Sequence, residues 1–577
     1  MGKKVVTLAI NMERNLTNSL GRHIGLLVIV LAAITWLPWL QMILFNTKGE
    51  PREAIVAVSI MQSGNWILPV SMGADIPYKP PMLAWLISIL SLPFGRVTEY
   101  TSRMPSALAA VYLVWATYRF FSRNDGRRDV AALTALVLMT SVEVWRAGWA
   151  CRVDMVLTAA MVGSLYSMYD WIKRGMKGVP LAASAFMTVA VLTKGPVGCV
   201  LPVLCVWLFN LLRPAGERQV WSITWKLAVA VIISCILPAA WYILAARQGG
   251  NSFLALVYEE NIGRATGTMS YASHENGAWY NPMTLAVGML PYTLAMLFAA
   301  FVARWQTVSG RLRGFFTRRN ATDRRMVMMF SIVSALTIIA FYTIPKSKRS
   351  VYLLPMYPFV AYMVTLGLLW LAERCRRLCA VFCGVMGSVV LLIGLLALVG
   401  SLMPDSVTER WPMLAHALRS PMSVIMAMIA VRVGFGVLRG LGKSGDIRLA
   451  GSSVAGCMVA YWCVSAGILP GILNGKSDKP VAEAAAMATL PDEYVFQFVD
   501  EDMLRYYTAN FYLADRIRLF GAEAMPEQGV LMVSEKDFPV WKEKYGGEYS
   551  TGSELWHSDR KSCDTKSKVM LIPFVKR

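Results

Sequence analysis

Apolar stretches long enough to cross a bilayer recur along this chain, and they constrain its fold more than any other feature. Thirteen of them approach the roughly 17–25 residues that a transmembrane helix needs. They lie at 23–45, 104–121, 129–147, 155–171, 179–193, 196–212, 224–246, 281–303, 327–344, 351–371, 379–403, 421–438 and 449–471. A fourteenth stretch, 81–95, is shorter and is interrupted by prolines. The chain is therefore predicted to be a polytopic α-helical membrane protein with about 13 transmembrane helices.

The overall composition agrees with this prediction. Hydrophobic types make up 56% of the 577 residues and charged types 16%, whereas a soluble domain has about 45–50% and about 25%. These values exclude a single soluble domain, a disordered chain and a coiled coil. The formal net charge is +21, from 57 Lys and Arg against 36 Asp and Glu. Because the basic residues cluster between apolar stretches, we attribute the charge to membrane orientation and expect no nucleic-acid partner.

The basic clusters also predict how the chain crosses the membrane. If 1–22 is a cytoplasmic N-terminus and 81–95 lies in the interface without crossing, all basic clusters but one fall on the cytoplasmic side. Thirteen crossings then place 472–577 on the opposite side of the membrane from 1–22. The first apolar stretch lacks a small-residue cleavage site, so we interpret it as an anchor.

The last hundred residues differ in composition from the transmembrane module, 23–471. The segments YVFQFV, RIRLFG, GVLMVSE and KVMLIPF alternate with helical or polar stretches. This alternation is typical of a small α/β domain, which we predict for 472–577. The outer loops of the module are expected at 46–103, 146–154, 247–280 and 345–350.

Charged residues in these outer loops are the candidates for function, because such loops hold few charges unless function needs them. The one cluster that breaks the positive-inside pattern is KSKR, residues 346–349. Lys and Arg in such a place suit an anionic ligand, above all a phosphate. Glu50 and Asp154 border spans on the same face. Carboxylates beside such cations fit transfer of a group from a lipid phosphate; for any single residue, an ordinary solvated loop charge is the alternative.

A series of short motifs follows the first apolar stretch. They are GEPREA (49–54), SGNWILP (63–69), YKPP (78–81), RVDM (152–155), LTKGP (192–196), ENIGR (260–264), HENGAWY (274–280), KSKRSVYLLP (346–355) and KSDKPVAE (476–483). In this order they resemble the GT-C membrane glycosyltransferases related to protein O-mannosyltransferases and to the lipid A aminoarabinose transferase. The resemblance covers nearly the whole chain and implies a GT-C fold with a small periplasmic α/β domain.

The resemblance also implies an activity. Such enzymes are inverting hexosyl- or pentosyltransferases that move a sugar from a polyprenyl-phosphate donor to a lipid, glycan or protein acceptor at the outer face of the inner membrane. The catalytic carboxylates carry over as Glu50 and Asp154. The implied donor-phosphate ligands are Arg52, Lys79, Lys194, Lys346, Lys348 and Arg349, and the implied acceptor or sugar ligands are Glu260, Arg264, His274 and Tyr352.

Two positions depart from the family's pattern. Gly49 stands where the first acidic motif commonly begins with Asp, which leaves Glu50 as the candidate in that pair. Tyr78 stands where the aminoarabinose transferases carry a metal-binding Glu. A divalent metal would then need His274 with Glu275 or Glu260, and His274 suits a structural or substrate contact equally well. No other cofactor is expected.

Two further classes of function remain open from the sequence. A transporter or flippase of a lipid-linked saccharide would have many spans and basic outer loops, but transporters place ionisable residues near the middle of the membrane. Here the span interiors are nearly free of them, and the charges gather at one face. A non-catalytic scaffold that binds through 472–577 is the other alternative.

Overall fold

The computed structural model describes residues 23–77, 79–263, 275–302, 323–404, 412–441, 446–501, 504–522 and 525–577. Over these residues the chain is a polytopic helical membrane protein with a C-terminal α/β domain, as predicted. Every predicted apolar stretch contains helix.

The helices of the transmembrane module are numbered here in chain order. They are α1 (His23–Trp39), α2 (Pro51–Ser63), α3 (Met82–Ser91), α4 (Glu99–Asn124), α5 (Arg128–Met139), α6 (Val142–Trp149), α7 (Val153–Lys173), α8 (Leu181–Lys194), α9 (Val197–Leu212), α10 (Val220–Tyr258), α11 (Tyr280–Gly288), α12 (Tyr292–Val302), α13 (Asp323–Thr343), α14 (Tyr357–Arg374), α15 (Arg376–Leu402), α16 (Pro412–Arg419), α17 (Pro421–Gly440), α18 (Asp446–Trp462) and α19 (Leu469–Leu473). A 3₁₀ segment, Ser350–Met356, precedes α14. A π-helical segment, Glu259–Gly263, follows α10.

The predicted number of thirteen spans is not confirmed. Among the described residues, six helices are long and apolar enough to cross a membrane, or eight segments if each of two bent helix pairs is one span. The stretches 129–147 and 281–303 are these two pairs, bent by 63° between α5 and α6 and by 107° between α11 and α12. The short helix α3 falls within 81–95, and its ten residues are too few to cross a bilayer. Its position in the interface remains a prediction.

The interior of the module is packed with aromatic side chains. Phe120 stacks on Tyr166 with ring centroids 4.0 Å apart, and Phe121 stacks on Tyr362 at 4.2 Å. The outward faces are apolar as well, which is expected where lipid replaces water around a helix. Leu402 is 84% exposed, for example.

The C-terminal domain is built on one mixed sheet. Its strands are β1 (Val495–Phe498), β2 (Ile517–Leu519), β3 (Gln528–Ser534), β4 (Tyr549–Thr551), β5 (Trp556–His557) and β6 (Val569–Lys576), and its helices are α20 (Lys479–Met487), α21 (Tyr507–Tyr512) and α22 (Phe538–Tyr545). The strand order is β2-β1-β3-β6-β4, with β5 also paired to β6. β1 is parallel to β2 and β3, whereas β3 and β4 are antiparallel to β6. The four segments predicted as strands form β1, β2, β3 and β6.

This domain is held against the loop 46–103 of the module. The buried Asp515 carboxylate accepts hydrogen bonds from the Ser59 hydroxyl at 3.0 Å and from the Met72 amide at 2.9 Å. The ring of Phe511, in α21, lies edge-on to Phe45 with centroids 4.8 Å apart. The Tyr512 hydroxyl donates to Glu99. These contacts fix α21 beside the loop that carries Glu50, Arg52 and Lys79.

Candidate active site

Glu50 lies at the start of α2, immediately before Pro51, whose fixed backbone angle suits the first position of a helix. Its two carboxylate oxygens accept from the Arg103 guanidinium at 2.8 and 3.0 Å, and Oε1 also accepts from the Cys151 amide at 2.9 Å. Burial raises the pKa of Glu50, but Arg103 and the Cys151 amide outweigh it, so the net pKa lies below its ordinary value. Glu50 is therefore an ionised carboxylate with both oxygens engaged.

Arg103 is a site residue that sequence reasoning did not single out. It is 2% exposed and also donates to the Leu40 and Ile43 carbonyls, so one guanidinium joins three parts of the chain around Glu50. The sequence offered one indication of its role: Arg103 is a charged residue in the loop 46–103, directly before the apolar stretch 104–121.

A second ion pair lies one helical turn further along α2. Glu53 is 8% exposed and is bonded to the Lys79 ammonium. Burial raises the pKa of Glu53, while Lys79 and then Arg52 lower it, and the net pKa lies below the ordinary value. Glu53 was also not assigned a role from the sequence, although its spacing of three from Glu50 places both on one side of α2.

The third pair joins the ends of two helices. Asp154 lies in the first turn of α7, and its Oδ1 accepts from Lys194 Nζ, the last residue of α8, at 2.6 Å. The same ammonium lies 4.2 Å from the ring centroid of Tyr352. Oδ2 of Asp154 has no hydrogen-bond partner among the described residues. Three motifs far apart in sequence thus meet here: RVDM, LTKGP and, through Tyr352, KSKRSVYLLP.

The ENIGR segment reaches the same place. Gly195 has a φ of +80°, and a Cβ on it would lie 3.0 Å from Oδ1 of Asn261. The π-helical segment that holds Glu260 and Asn261 is therefore next to Lys194. Arg264 and His274 lie outside the described residues.

Within the KSKR segment, Lys348 is buried and makes structural contacts, whereas Lys346 is exposed. Lys348 is 5% exposed, and its ammonium donates to the Asn276 carbonyl at 3.0 Å and to the Pro345 carbonyl at 2.6 Å. Ser347 pairs with Glu275 through a β-bridge. Lys348 thus fastens 345–349 to 275–276, which is a reason for its presence besides a phosphate. Lys346 is exposed, and Arg349 is half-buried and has a partner of its own.

Arg152 occupies the space that the side chain of residue 49 would take. A Cβ on Gly49 would lie 1.7 Å from Arg152 Nη2. The guanidinium acts electrostatically on Glu50, Glu53 and Asp154, yet it has no hydrogen bond or ion pair with any described residue. The departure Asp to Gly at position 49 therefore makes room for an arginine.

A cavity of about 270 Å³ adjoins the second ion pair. Its polar lining includes Arg52, Glu53, Asp75, Lys79 and Tyr507. The rest is mostly apolar, with these side chains among others: Val56, Ile60, Ile67, Leu83, Trp241 and Leu256. An apolar-walled cavity with a few convergent polar groups is the usual form of a small-molecule site.

The charged groups in and beside this cavity carry one net positive charge. Four carboxylates, Glu50, Glu53, Asp75 and Asp154, lie among five cations, Arg52, Lys79, Arg103, Arg152 and Lys194. Partly buried arginines in surplus over carboxylates bind anions with planar or tetrahedral oxygens, such as phosphates. The arrangement can therefore hold a phosphate with two or more cations and present a carboxylate oxygen beside it.

Few of the described residues could hold a metal. The proposed set of His274 with Glu275 or Glu260 depends on a residue outside the described ranges. Within those ranges, one group of three ligand-type side chains lies close together, Asp478, Cys563 and Asp564 in the C-terminal domain. Their oxygens already accept from the Ser562 hydroxyl, the Cys563 amide and Thr508, so hydrogen bonds account for this group without an ion.

Comparison with known proteins gives consistent matches. Residues 78–242 match the family described as dolichyl-phosphate-mannose-protein mannosyltransferase. An uncharacterized protein of Aquifex aeolicus is 28% identical over 321 residues, 55% of this chain and 59% of that protein. The undecaprenyl phosphate-alpha-4-amino-4-deoxy-L-arabinose arabinosyl transferase of Pectobacterium atrosepticum is 25% identical over 385 residues, 64% of each chain. The chain thus spans about three-fifths of the length of these relatives.

A solved structure shares the fold over almost the whole chain. ArnT from Cupriavidus metallidurans, bound to undecaprenyl phosphate, superposes with a TM-score of 0.71 at 18% identity, covering 95% of this chain and 97% of that one. The similarity in fold to ArnT therefore extends over both the transmembrane module and the C-terminal domain. The sequence matches and the shared fold support the resemblance of this chain to the GT-C membrane glycosyltransferases, which include protein O-mannosyltransferases and the lipid A aminoarabinose transferase.

Proposed function

We propose that the protein is an inverting glycosyltransferase of the bacterial inner membrane that takes a sugar from a polyprenyl-phosphate donor. The observation that carries this proposal is the pair of lysine–carboxylate contacts, Lys79–Glu53 and Lys194–Asp154, with Lys79, Glu53 and Arg52 lining an otherwise apolar cavity. The lysines and Arg52 suit the donor phosphate. The apolar walls suit the part of the lipid next to it. The site and the C-terminal domain then face the periplasm.

In the proposed reaction an acceptor oxygen attacks the anomeric carbon of the donor sugar. The bond from that carbon to the phosphate oxygen breaks on the opposite side, so the configuration inverts and polyprenyl phosphate leaves. The cations stabilise the negative charge that develops on the departing phosphate. A proton from an acceptor hydroxyl goes to a carboxylate or to water.

The three carboxylates suit different parts in this reaction. Both oxygens of Glu50 are occupied by Arg103 and the Cys151 amide, so we assign Glu50 to holding the loop in place. Asp154 keeps Oδ2 open, and it is our candidate for orienting the acceptor. Because Glu53 has a lowered pKa, it is a weak base and serves better to bind and orient than to remove a proton.

The relatives suggest substrates for this reaction. Several are named as undecaprenyl phosphate-alpha-4-amino-4-deoxy-L-arabinose arabinosyl transferases. We propose undecaprenyl phosphate as the lipid carrier and an envelope lipid, glycan or protein as the acceptor. Tyr78, in place of a Glu that the aminoarabinose transferases carry, separates this chain from them, and the sugar is left open.

The test is donor consumption by purified full-length protein in detergent, which abolishes vectorial transport but not glycosyl transfer. Undecaprenyl phosphate carrying glucose or 4-amino-4-deoxy-L-arabinose is incubated with an envelope lipid extract, and released undecaprenyl phosphate is measured by mass spectrometry. We expect acceptor-dependent release that falls about 100-fold or more in Asp154→Asn and Lys79→Met, since positioned acid–base and electrostatic groups each contribute about that much.

A matched control comes from the other end of α7. Lys173 pairs with Asp323 at 2.9 Å, and both side chains are exposed, 40% and 72%. This pair lies roughly 30 Å from Asp154 along the helix. Asp323→Asn should retain full turnover. Unchanged release in Asp154→Asn and Lys79→Met, with folding intact, would remove these residues from the site, and absence of any donor consumption by the wild type would reject the function.

A further inference from the structure

The C-terminal domain contributes a wall to the cavity. Tyr507, in α21, lines it together with residues of the first outer loop and of α10. Tyr507 is 5% exposed, and its hydroxyl donates to Oδ2 of Asp75 at 3.3 Å. The module and the C-terminal domain therefore complete one site between them.

Asp75 offers an open hydrogen-bond acceptor to this cavity. It is half-buried and lines the cavity, and its backbone pairs with Ser71 in a tight turn that fixes its position. Oδ2 accepts from Tyr507, whereas Oδ1 has no hydrogen-bond partner among the described residues. A half-buried carboxylate oxygen without a donor is unfavourable unless a ligand or water supplies one.

The lining of the cavity combines two kinds of polar group. Arg52 and Lys79 supply cations that suit a phosphate, and Asp75 with Tyr507 supplies a carboxylate and a phenol. These are groups that accept from and donate to hydroxyls. The Trp241 ring adds an apolar surface, of the kind that packs against the C–H faces of a sugar ring.

The size of the cavity limits what it holds. At about 270 Å³ it lies just under the range of roughly 300–1,000 Å³ for small-molecule pockets. A cavity of this size can hold a sugar phosphate, but it is too small to hold a long isoprenoid chain in addition.

We propose that Asp75 and Tyr507 form the subsite for the donor sugar, so that the C-terminal domain contacts the group being transferred. The inference rests on the proposed function, because it takes the phosphate of the donor to lie at Arg52 and Lys79. It gives the domain a part in sugar selection in addition to its structural contacts with the first loop.

The domain offers a matched control for this proposal. Tyr512 lies in the same helix as Tyr507, and its hydroxyl also bonds to a carboxylate of the module, Glu99, at 2.8 Å. Tyr512 does not line the cavity. Tyr512→Phe therefore removes a docking hydrogen bond of the same kind and leaves the cavity intact.

The experiment compares two probes on the full-length protein in detergent. One is bare undecaprenyl phosphate, and the other is undecaprenyl phosphate carrying glucose or 4-amino-4-deoxy-L-arabinose. We expect the wild type to bind at least one sugar-bearing probe more tightly than the bare lipid. Tyr507→Phe and Asp75→Asn should each lower the affinity for that probe about tenfold, since a hydrogen bond to a charged group contributes about that much to binding. Both variants should bind the bare lipid within about twofold of wild type.

Each other result overturns the proposal or the function beneath it. The subsite is rejected, and the two residues are structural, if Tyr507→Phe and Asp75→Asn leave the affinity for sugar-bearing probes unchanged. It is rejected as well if they lower the affinity for the bare lipid by the same factor. The same holds if Tyr512→Phe reproduces their effect, or if the wild type binds all probes equally. If the wild type binds no probe, the proposed function itself fails, and thermal unfolding of each variant verifies that folding is intact.

Discussion

The module and the C-terminal domain both bury carboxylates, but they satisfy them differently. At the candidate site Glu50, Glu53 and Asp154 are bonded to Arg103, Lys79 and Lys194 respectively. In the C-terminal domain the buried aspartates accept mainly from uncharged groups: Asp515 from Ser59, Asn510 and the Met72 amide, and Asp564 from both the amide and the hydroxyl of Thr508.

The consequence appears in the pKa values. Arg103 and Lys79 keep the pKa values of Glu50 and Glu53 below normal although burial opposes this. Burial, with the nearby charge of Asp478, raises the pKa of Asp564 to about 7. Cationic partners thus preserve charge at the candidate site, whereas amide and hydroxyl partners give a well-defined structure whose charge depends on pH.

The largest effect is expected from removing a cation at the site. Arg103→Met would leave the ionised Glu50 buried without its partner, and such losses cost about 3–5 kcal/mol. We expect a free energy of unfolding lower by about that amount, measured by denaturation in detergent with circular dichroism. Glu50→Gln in the same chain should recover part of the loss, because the uncompensated charge is then removed.

An exposed pair of the same type is the control for this prediction. Arg127 and Asp129 pair at 2.8 Å with both side chains 43% exposed. Arg127→Met should cost less than about 1 kcal/mol, as exposed ion pairs do. An equal cost for the two arginine variants would contradict the distinction between buried and exposed pairing made here.

A smaller effect is expected where uncharged donors hold a carboxylate at the domain junction. Asp515→Ala would leave the Met72 amide and the Ser59 hydroxyl without their acceptor, which costs roughly 1–3 kcal/mol. Hydrogen–deuterium exchange should accelerate in 59–75 and in β2. Asp515→Asn, which keeps an acceptor oxygen, should show less of this change, and similar exchange in Asp515→Ala and wild type would show that the junction does not depend on Asp515.

The smallest effect is a pH dependence in the C-terminal domain. The pKa of Asp564 is about 7 in the folded domain and about 3.9 in the unfolded chain. Between these pH values the folded domain holds a proton on Asp564 that the unfolded chain has released. The stability that this proton contributes is fully present below about pH 4 and is lost as the pH rises towards 7. The slope is at most about 1.4 kcal/mol per pH unit.

Exchange rates of amides in β3 and β6 of the full-length protein, measured from pH 4 to pH 8, test this dependence. Asp564→Asn should flatten the slope after correction for intrinsic exchange. Asp500→Asn, which breaks an exposed pair with Lys544 in the same domain, should not. A slope that survives in Asp564→Asn would assign the dependence to another group.

Local sequence patterns predicted the elements of the fold well. Each apolar stretch contains helix, and YVFQFV, RIRLFG, GVLMVSE and KVMLIPF form strands, because apolar length and alternation are properties of short segments. The number of crossings did not follow in the same way. The bends between α5 and α6 and between α11 and α12 depend on how neighbouring helices pack, and a continuous apolar run does not reveal them.

The candidate site shows the same division. The motifs indicated Asp154, Lys194, Lys79 and Tyr352, and the structure brings Asp154, Lys194 and Tyr352 together. Glu53 and Arg103 were missed as site groups because their importance lies in their partners, Lys79 and Glu50, and pairing across 26 or 53 positions has no local signature. Lys348 was proposed from the charge pattern and from the resemblance, and only the structure revealed the carbonyls that it binds.

The sequence by itself determined that this chain spans a membrane, carries an α/β domain at its end and concentrates charged residues in a few loops, because hydrophobic length and charge act locally. Only the tertiary structure decided which carboxylate each cation neutralises, that Arg152 fills the space above Gly49, and that Tyr507 reaches the cavity beside Asp75. Burial and pairing set the charge and availability of these groups, and both depend on contacts between residues up to several hundred positions apart.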